Sequence, residues 1–314
     1  MFYKEKIKSY ILKCNEGKED LSIKKEFYKI KLMYFVVTSL KLLCCYDEIE
    51  KIREGYINYI LNCKNSDGGY GPCVGYPSHV FSTFFALLVL RSLNYNSYDK
   101  NTIEYLKRFK CRYGDDFGEE DNRFTIAALG SLFFQFEWEG EESDFLYFLK
   151  INGFDINSIE YFILDCYNKD GGFGLQPQAE SHLAQTYCSL GSLSILGFLD
   201  CVDKNKIIKF ILLRQQESGG FNGRANKKED TCYSFYGLSS LKILDSHILI
   251  DKEKLINFIL SCHNEDGGFT DMVGNPSDIY HTCYSLLALS ILEVFDLGSC
   301  DHVLGLALDL NSPK

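Results

Sequence analysis

The sequence predicts an all-α protein, an α/α barrel (toroid) built from five to six helix-pair repeats. The first observation is a Gly-Gly turn, followed by a loop and an apolar helix, that recurs at Gly68, Gly171, Gly219 and Gly267. The second is the period, because the last three turns are 48 residues apart and the first interval is close to twice that length. Self-similarity at such a period is typical of helical repeat architectures.

A further copy of the repeat lies between the first two Gly-Gly turns. In the segment CRYGDDFGEEDNRFTIAALGSLFF a single glycine, Gly118, replaces the pair, and the following helix begins at Asn122. Ahead of each turn, apolar residues recur at helical spacing, as in Ile52, Tyr59 and Cys63. The repeating unit is therefore a helix, a glycine turn and a second helix.

The two helices of each unit differ in character. One is amphipathic, whereas the other is nearly continuous in small and apolar residues, as in LAQTYCSLGSLSIL and CYSLLALSIL. We expect the first to face solvent and the second to be buried. The mixture of small and aromatic residues favours a closed ring over an open solenoid. We predict a single domain over residues 1–314, with repeats of about 48–51 residues and a short C-terminal tail from about residue 297.

Composition narrows the class of protein. A hydrophobic content of 46% with 15% aromatic residues excludes a disordered chain. No apolar run approaches the length of about 18 residues that a membrane span needs, and the polar start MFYKEKIKSY lacks the apolar region of a signal peptide. We therefore expect no transmembrane segment and a cytoplasmic location. The net charge of −10 argues against binding to nucleic acid, and the 13 cysteines are expected to be mostly reduced, buried thiols.

Residues that can bind a metal lie at the predicted starts of the inner helices. Asp230, Cys232 and His281 offer a carboxylate, a thiolate and an imidazole. Zinc accepts these three donor types, and three protein ligands leave the fourth position open, as catalytic sites require. The alternative is that Asp230 is only an N-cap and Cys232 only a core thiol.

A basic loop, GRANKK, precedes this group. Arg224 and Lys227 in the loop, with Tyr233 and His182, would supply donors for a phosphate or diphosphate beside the metal. The alternative is an ordinary solvated basic loop. In so acidic a chain, however, a basic cluster next to a candidate metal site points to local anion binding.

These residues stand in motifs that resemble a known family. The combination of DGGFG…ESHLAQTYC, GGFNGRANKKEDTCYSF and DIYHTCYSLLALSI is similar to the β-subunits of the protein prenyltransferases, over roughly residues 20–295. The resemblance implies that Asp230, Cys232 and His281 bind one Zn²⁺ and that the cysteine thiolate of an acceptor protein takes its open site. It also implies that Asp278 is an acidic neighbour of the zinc histidine.

The resemblance extends to substrates and partners. It implies an isoprenoid diphosphate, an α-subunit as obligate heterodimer partner, and Mg²⁺ assisting the diphosphate. It places the diphosphate at His182, Arg224, Lys227 and Tyr233, the acceptor near Arg123, and the isoprenoid chain in a lining that includes Cys188 and Tyr236.

Among the branches of the family, the Rab geranylgeranyltransferase (type II) is favoured. FGEEDNRF and the Gln185 of ESHLAQTYC resemble that branch, and Ile126 stands where farnesyltransferase has a bulky tyrosine. This implies geranylgeranyl diphosphate as donor and a Rab GTPase with its escort protein as acceptor. The alternatives are a farnesyltransferase or type I geranylgeranyltransferase β-subunit acting on CaaX proteins, and a non-catalytic helical-repeat binding module. A terpene cyclase is disfavoured because the sequence has no DDxxD or DxDD run.

Overall fold

The computed structural model describes residues 2–17, 25–109, 119–140 and 144–309. Gly118, predicted to stand for the missing glycine pair, lies outside these ranges. The described residues form thirteen α-helices, two short 3₁₀ helices and one two-stranded hairpin, so the prediction of an all-α protein is confirmed. None of the described helices is long and apolar enough to cross a bilayer. In chain order the helices are α1 (Lys4–Asn15), α2 (Lys25–Leu42), α3 (Tyr46–Asn62), α4 (Val80–Ser92), α5 (Lys100–Lys107), α6 (Asn122–Glu139), α7 (Phe145–Ile151), α8 (Ile156–Asp165), α9 (Leu183–Leu196), α10 (Lys204–Leu212), α11 (Thr231–Ile243), α12 (Lys252–Ser261) and α13 (Ile279–Ile291).

Six of these helices form a closed inner ring. In ring order they are α2, α4, α6, α9, α11 and α13; each packs against the next, and α13 packs back against α2. The helices α1, α3, α5, α8, α10 and α12 lie outside and alternate with the inner helices along the chain, and α7 is an extra short helix between α6 and α8. The predicted α/α toroid is therefore confirmed, with six helix pairs.

The amphipathic pattern explains which helix lies outside. In α10 the residues Ile207, Phe210 and Ile211 are buried at helical spacing, while Lys206 and Lys209 are exposed to solvent. The inner helices are buried nearly all round and need small residues where they approach each other. A Cβ added to Gly191 on α9 would lie 2.6 Å from Cδ1 of Ile126 on α6, so a larger residue at this crossing would displace the Ile126 side chain.

The first glycine of each Gly-Gly turn fixes the position of the next outer helix. Each of these glycines has φ between +91° and +98°, which ordinary side chains rarely adopt. A Cβ added to any of them would meet the main chain of the following outer helix, at 2.2 Å for Gly68 and 2.3 Å for the others. For Gly267 that neighbour is Lys6 of α1, so the last turn contacts the first outer helix and closes the outer layer.

The inner helices all begin at the same end of the ring. The N–H of the first residue of an inner helix donates to a carbonyl in the loop of the next repeat. This occurs from Asn122 to Leu175 at 3.3 Å, from Leu183 to Gly223 at 2.7 Å, and from Thr231 to Asp271 at 3.1 Å. These starts therefore gather at one mouth, as the repeat pattern predicts.

A C-terminal hairpin covers the opposite end of the ring. Its strands are β1 (Cys300–Asp301) and β2 (Leu306–Ala307), paired antiparallel. The Tyr187 hydroxyl donates to the carbonyl of Val303 at 2.6 Å, and the Tyr34 hydroxyl donates to that of Gly305, also at 2.6 Å. Leu304 between them is buried. The segment predicted as a short tail thus contains the floor of the central cavity.

The glycine turns give a matched test of this packing. We expect Gly267→Ala to destabilise the fold by about 2–4 kcal/mol, because its Cβ would enter the main chain of α1. Gly274→Ala, in the same loop with φ +94° but open space around it, should cost only about 1 kcal/mol of backbone strain. Urea unfolding measures both variants. Equal losses would show that the contact with α1 does not require glycine.

Candidate active site

Asp230, Cys232 and His281 come together at the mouth of the ring. Asp230 caps α11, its Oδ1 accepting the N–H of Cys232 at 2.8 Å. Cys232 is buried in the first turn of α11, and His281 lies in the first turn of the neighbouring helix α13. One ligand atom from each residue lies within 4.8 Å of the others. Over the described ranges this is the one group of three or more such residues that could hold a metal ion.

Asp278 sets the orientation of the His281 ring. It caps α13, with Oδ1 accepting the His281 N–H at 2.8 Å and Oδ2 lying 2.5 Å from Nδ1. This contact holds the Nδ1 proton on the side of Asp278 and turns Nε2 toward Asp230, whose Oδ1 is 3.4 Å away. A carboxylate behind a histidine is the usual support of a metal-binding imidazole.

Without a metal, Cys232 and His281 both hold a proton at neutral pH. Burial raises the pKa of the Cys232 thiol to about 12, although His281 opposes the shift. Burial lowers the pKa of His281, but hydrogen bonds to Asp230, Asp278 and Cys232 outweigh it and raise that pKa to about 12. At neutral pH the triad therefore contains a Cys232 thiol beside a His281 imidazolium, which Asp230 and Asp278 hold in place.

The donor set fits a zinc ion. With bonds of about 2.0–2.3 Å, a tetrahedral zinc ion holds its ligand atoms about 3.3–3.8 Å apart, so small side-chain rotations are enough. The N-cap role of Asp230 is real, but it occupies Oδ1 and leaves Oδ2 for a ligand. The N-cap and the metal interpretations of Asp230 are therefore compatible.

A pocket of about 380 Å³, called the cationic pocket here after its basic residues Arg224, Lys227 and Lys228, adjoins the triad. Three acidic residues line it as well, namely Glu229, Asp230 and Asp271. It contains all four residues predicted to bind a diphosphate, namely His182, Arg224, Lys227 and Tyr233, and Asp230 lies on its wall. Arg224 also pairs with Glu180, Nη1 to Oε2, at 2.8 Å, and the Lys227 side chain is exposed. The structure thus brings these four residues to one pocket, and their role in binding a diphosphate stays a prediction.

Hydrogen bonds fix the positions of the His182 and Tyr233 side chains within this pocket. Nδ1 of His182 accepts the N–H of Ala184 at 3.2 Å, so Nε2 carries the proton and faces the Tyr233 hydroxyl at 3.3 Å. Burial, and then the charge of Arg224, lowers the pKa of His182. A Cβ on Gly223 would lie 2.8 Å from His182 Nε2, so glycine keeps the pocket open.

The second cavity, of about 550 Å³, fills the centre of the ring. It contains the other three predicted site residues, Arg123, Cys188 and Tyr236. Arg123 lies on α6, where its guanidinium pairs with Asp121 at 2.6 Å and with Glu119 at 2.7 Å. Although α6 packs directly against α9, Arg123 lines the central cavity and not the cationic pocket.

Further lining residues were not identified from the sequence. Tyr280 contacts the His281 ring, with centroids 4.8 Å apart, and its hydroxyl lies 3.2 Å from that of Tyr236. Phe35 and the hairpin residue Leu304 complete other walls of the cavity. The aromatic residues at helical spacing were a signal for a lining, but the hairpin offered no motif.

Fold and site together define a class: an α/α toroid whose mouth joins a candidate metal site, a cationic pocket and an apolar cavity. The sequence matches the family model described as the prenyltransferase alpha-alpha toroid domain over residues 2–306. The chain therefore belongs to this family.

Several similar proteins are named as beta subunits of geranylgeranyl transferases. The chain is 32% identical over 186 residues to the geranylgeranyl transferase type-2 subunit beta of Saccharomyces cerevisiae, covering 56% of this chain and 52% of that protein. It is 35% identical over 222 residues to the protein of the same name from Candida albicans, covering 65% and 60%. These matches span about half to three fifths of the relatives' lengths. A geranylgeranyl transferase type-1 subunit beta of Arabidopsis thaliana is 30% identical, over 39% of this chain and 31% of that protein.

A solved structure shares the fold. The Candida albicans protein geranylgeranyltransferase-I complexed with GGPP superposes with a TM-score of 0.80, covering 98% of this chain and 96% of that chain at 23% identity. The ent-copalyl diphosphate synthase from Streptomyces platensis has a TM-score of 0.55 at 14% identity, over 83% and 50% of the two chains. At these identities the likeness concerns the fold alone.

The protons on the triad give a direct test of its capacity for metal. We expect zinc added to the metal-free protein at pH 7 to release about two protons, one from Cys232 and one from His281, because both must be deprotonated to bind. Affinity should accordingly rise with pH. Calorimetry in two buffers of different ionisation enthalpy counts the protons, and Cys232→Ala should release one fewer with much weaker binding. Zinc binding without proton release would contradict this site.

Proposed function

We propose that this chain is the catalytic β-subunit of a protein geranylgeranyltransferase of type II, which transfers geranylgeranyl from its diphosphate to C-terminal cysteine thiols of Rab-type GTPases. The observation that carries the proposal is the position of the triad between two dissimilar pockets. Asp230 lies on the wall of the cationic pocket, while Tyr280, next to His281, lines the apolar cavity. A molecule with an anionic head and a long apolar tail matches that pair of pockets.

The cationic pocket would hold the diphosphate. Arg224 and Lys227 supply positive charge, and the Tyr233 hydroxyl and the protonated Nε2 of His182 supply neutral donors. As the bond between C1 of the isoprenoid and the diphosphate oxygen breaks, negative charge grows on the leaving group. Preorganised donors at that point stabilise the transition state more than the ground state.

The central cavity would hold the isoprenoid chain. Its volume of about 550 Å³ lies within the usual range of about 300–1,000 Å³ for small-molecule sites. Cys188 and Tyr236 are part of a mainly aromatic lining that removes the hydrocarbon from water. Ile126, in place of a larger ring, leaves room for a longer chain, which favours geranylgeranyl over farnesyl as donor.

The triad would receive the thiol of the acceptor. Bound there, Zn²⁺ would lower the pKa of an incoming thiol, so that the nucleophilic thiolate exists at neutral pH. Asp230, Cys232 and His281 are the proposed ligands, and Asp278 holds His281 with Nε2 facing the site. The acceptor sulfur attacks C1, the carbon–sulfur bond forms, and the diphosphate leaves into the cationic pocket.

The remaining components follow from the family and its named relatives. Subunit names of the relatives support an α-subunit partner. We extend the proposal to an escort protein that presents the Rab GTPase, to a cytoplasmic location, and to Mg²⁺ assisting the diphosphate. The described residues offer no second group of carboxylates for Mg²⁺, so its ligands would include the diphosphate itself.

The second candidate is a β-subunit acting on CaaX proteins. Relatives named geranylgeranyl transferase type-1 subunit beta and protein farnesyltransferase subunit beta, both from Arabidopsis thaliana, match at 30% and 27% identity. The triad and both pockets would serve that reaction equally well. Only the lipid and the acceptor distinguish the candidates.

Lipid and acceptor can be tested in one assay of the chain co-expressed with candidate α-subunits. We expect geranylgeranyl diphosphate to be preferred over farnesyl diphosphate by at least about tenfold in kcat/KM, because one more isoprene unit is buried. We expect transfer to a Rab GTPase only when an escort protein is present. A clear preference for farnesyl, or transfer to CaaX peptides without an escort, would reject the type II assignment.

A pair of cysteine variants separates catalysis from structure. Cys232→Ala should reduce transfer by at least about 100-fold, because it removes one of three metal ligands. Cys283→Ala removes an equally buried thiol on α13 outside the triad and should leave transfer near normal at a cost of about 1–2 kcal/mol of stability. Metal content, urea unfolding and transfer are measured for both. In a non-catalytic binding module, Cys232→Ala would instead act through lost stability.

A further inference from the structure

Lys31 lies on the wall of the central cavity, where it is a charged residue in a mainly aromatic lining. It belongs to α2 and is mostly buried, among aromatic rings. Its Nζ lies 5.6 Å from the ring centroid of Tyr28, 5.8 Å from that of Phe81 and 5.5 Å from that of Phe85. These rings attract a cation by their faces but cannot neutralise it.

The contrast with Arg123 shows what Lys31 lacks. Arg123 also lies near Phe81, its Cζ 5.9 Å from the ring centroid, and it has two carboxylate partners, Asp121 and Glu119. Lys31 has no hydrogen bond and no ion pair to any residue that the structure describes. Burial, together with the charge of Arg123, lowers the pKa of Lys31. A desolvated cation is costly unless an anion pairs with it, so an anionic group from a ligand would satisfy this site.

The diphosphate pocket cannot supply that anion. None of the residues around that pocket lines the central cavity with Lys31. The pocket lies at the starts of α9 and α11, and in the closed ring α2 is three helices from α9, on the opposite side. A diphosphate bound between Arg224 and His182 therefore leaves Lys31 without a partner.

A continuous aromatic wall connects Lys31 with the triad. The Tyr280 ring contacts His281 and lies 5.6 Å from the Phe35 centroid, and Phe35 lies 6.4 Å from Phe85, beside Lys31. A peptide chain whose cysteine reached the triad could extend along this wall toward Lys31. In the proposed reaction the modified cysteine is at or near a C-terminus, so the nearest anion on the acceptor is its terminal carboxylate.

We propose that Lys31 binds the C-terminal carboxylate of the acceptor chain inside the cavity. This inference rests on the proposed function, since it assumes a cysteine acceptor at the triad. It assigns to α2 a part in acceptor recognition that is separate from the diphosphate pocket and from the metal ligands. One ammonium matches one carboxylate, and the charge of Arg123 is already balanced by its own partners.

The test compares semisynthetic acceptor proteins that differ only in their last atoms, ending in a free carboxylate or in an amide. With the wild-type chain and its α-subunit, we expect the amide to raise KM by about five- to tenfold with little change in kcat, as for the loss of one charge-assisted hydrogen bond. With Lys31→Met the two acceptors should have KM values within about twofold of each other. Lys31→Arg should restore the difference.

The matched control is Lys29→Met on the same helix. Lys29 also lies over an aromatic ring, with Nζ 4.0 Å from the Tyr59 centroid, but it does not line the cavity. The Lys29→Met variant should keep the wild-type ratio between the KM values of the acid and amide acceptors. A purely structural role of Lys31 in holding the rings together would not change that ratio.

The outcomes separate this inference from the proposed function. Calorimetry of short cysteine peptides, as acids and as amides, measures binding without lipid transfer and decides the inference even where transfer fails. Equal binding of acid and amide by the wild type overturns it, as does a ratio unchanged in Lys31→Met. If an acceptor with an internal Asp or Glu binds equally well as acid and as amide, the partner of Lys31 is a side-chain carboxylate. That result also overturns the inference. Absence of transfer with any acceptor, by contrast, rejects the proposed function.

Discussion

The site depends on a hydrogen bond between repeats, from the first N–H of an inner helix to a carbonyl in the loop of the next repeat. The bond from Leu183 to Gly223, at 2.7 Å, and the bond from Thr231 to Asp271, at 3.1 Å, bring each loop over the start of the preceding inner helix. This contact places the basic loop of one repeat beside His182 of another. It also brings α13, and with it His281, to within reach of Asp230.

The capping residues link stability to function. His79, Asp121, His182, Asp230 and Asp278 all occupy the N-cap of an inner helix and accept a main-chain N–H there. Each cap uses one acceptor atom for the helix, and other atoms of the same side chain make further contacts, as Asp121 does with Arg123 and Asp278 does with His281. Because each inner helix needs a cap at its N-terminus, polar side chains collect at the mouth of the ring. The functional group of each capping residue decides what it contributes there.

Two groups at the ends of one aromatic wall have opposite electrostatic environments. His281 is a base held between carboxylates, and its charge is compensated within the protein. Lys31 is a cation held among rings, and its charge is not compensated by the described residues. Both lie along one aromatic wall, so a ligand that bridges them needs a nucleophile at one end and an anion at the other.

The sequence by itself determined the repeat and the residues at its helix starts. Local conformation restricts the residue type directly, since a position with φ near +93° and a helix start that needs a cap each accept few residues. The motif around Cys232 and the basic loop before it could therefore be recognised as a candidate site without coordinates. The approach of Asp278 to His281 also follows from spacing within one helix start.

Only the tertiary structure decided the cavity. Its lining draws two to four residues from each inner helix, so Tyr280 or Phe35 cannot be told from ordinary core residues until the ring has closed. The hairpin of residues 300–307 forms the floor only because hydroxyls of Tyr187 and Tyr34, distant in sequence, donate to its carbonyls. From the sequence alone, Lys31 cannot be distinguished from an ordinary lysine on a helix surface. Its burial among Phe81 and Phe85 arises from packing between α2 and α4, and contacts between distant segments are not encoded in any local pattern.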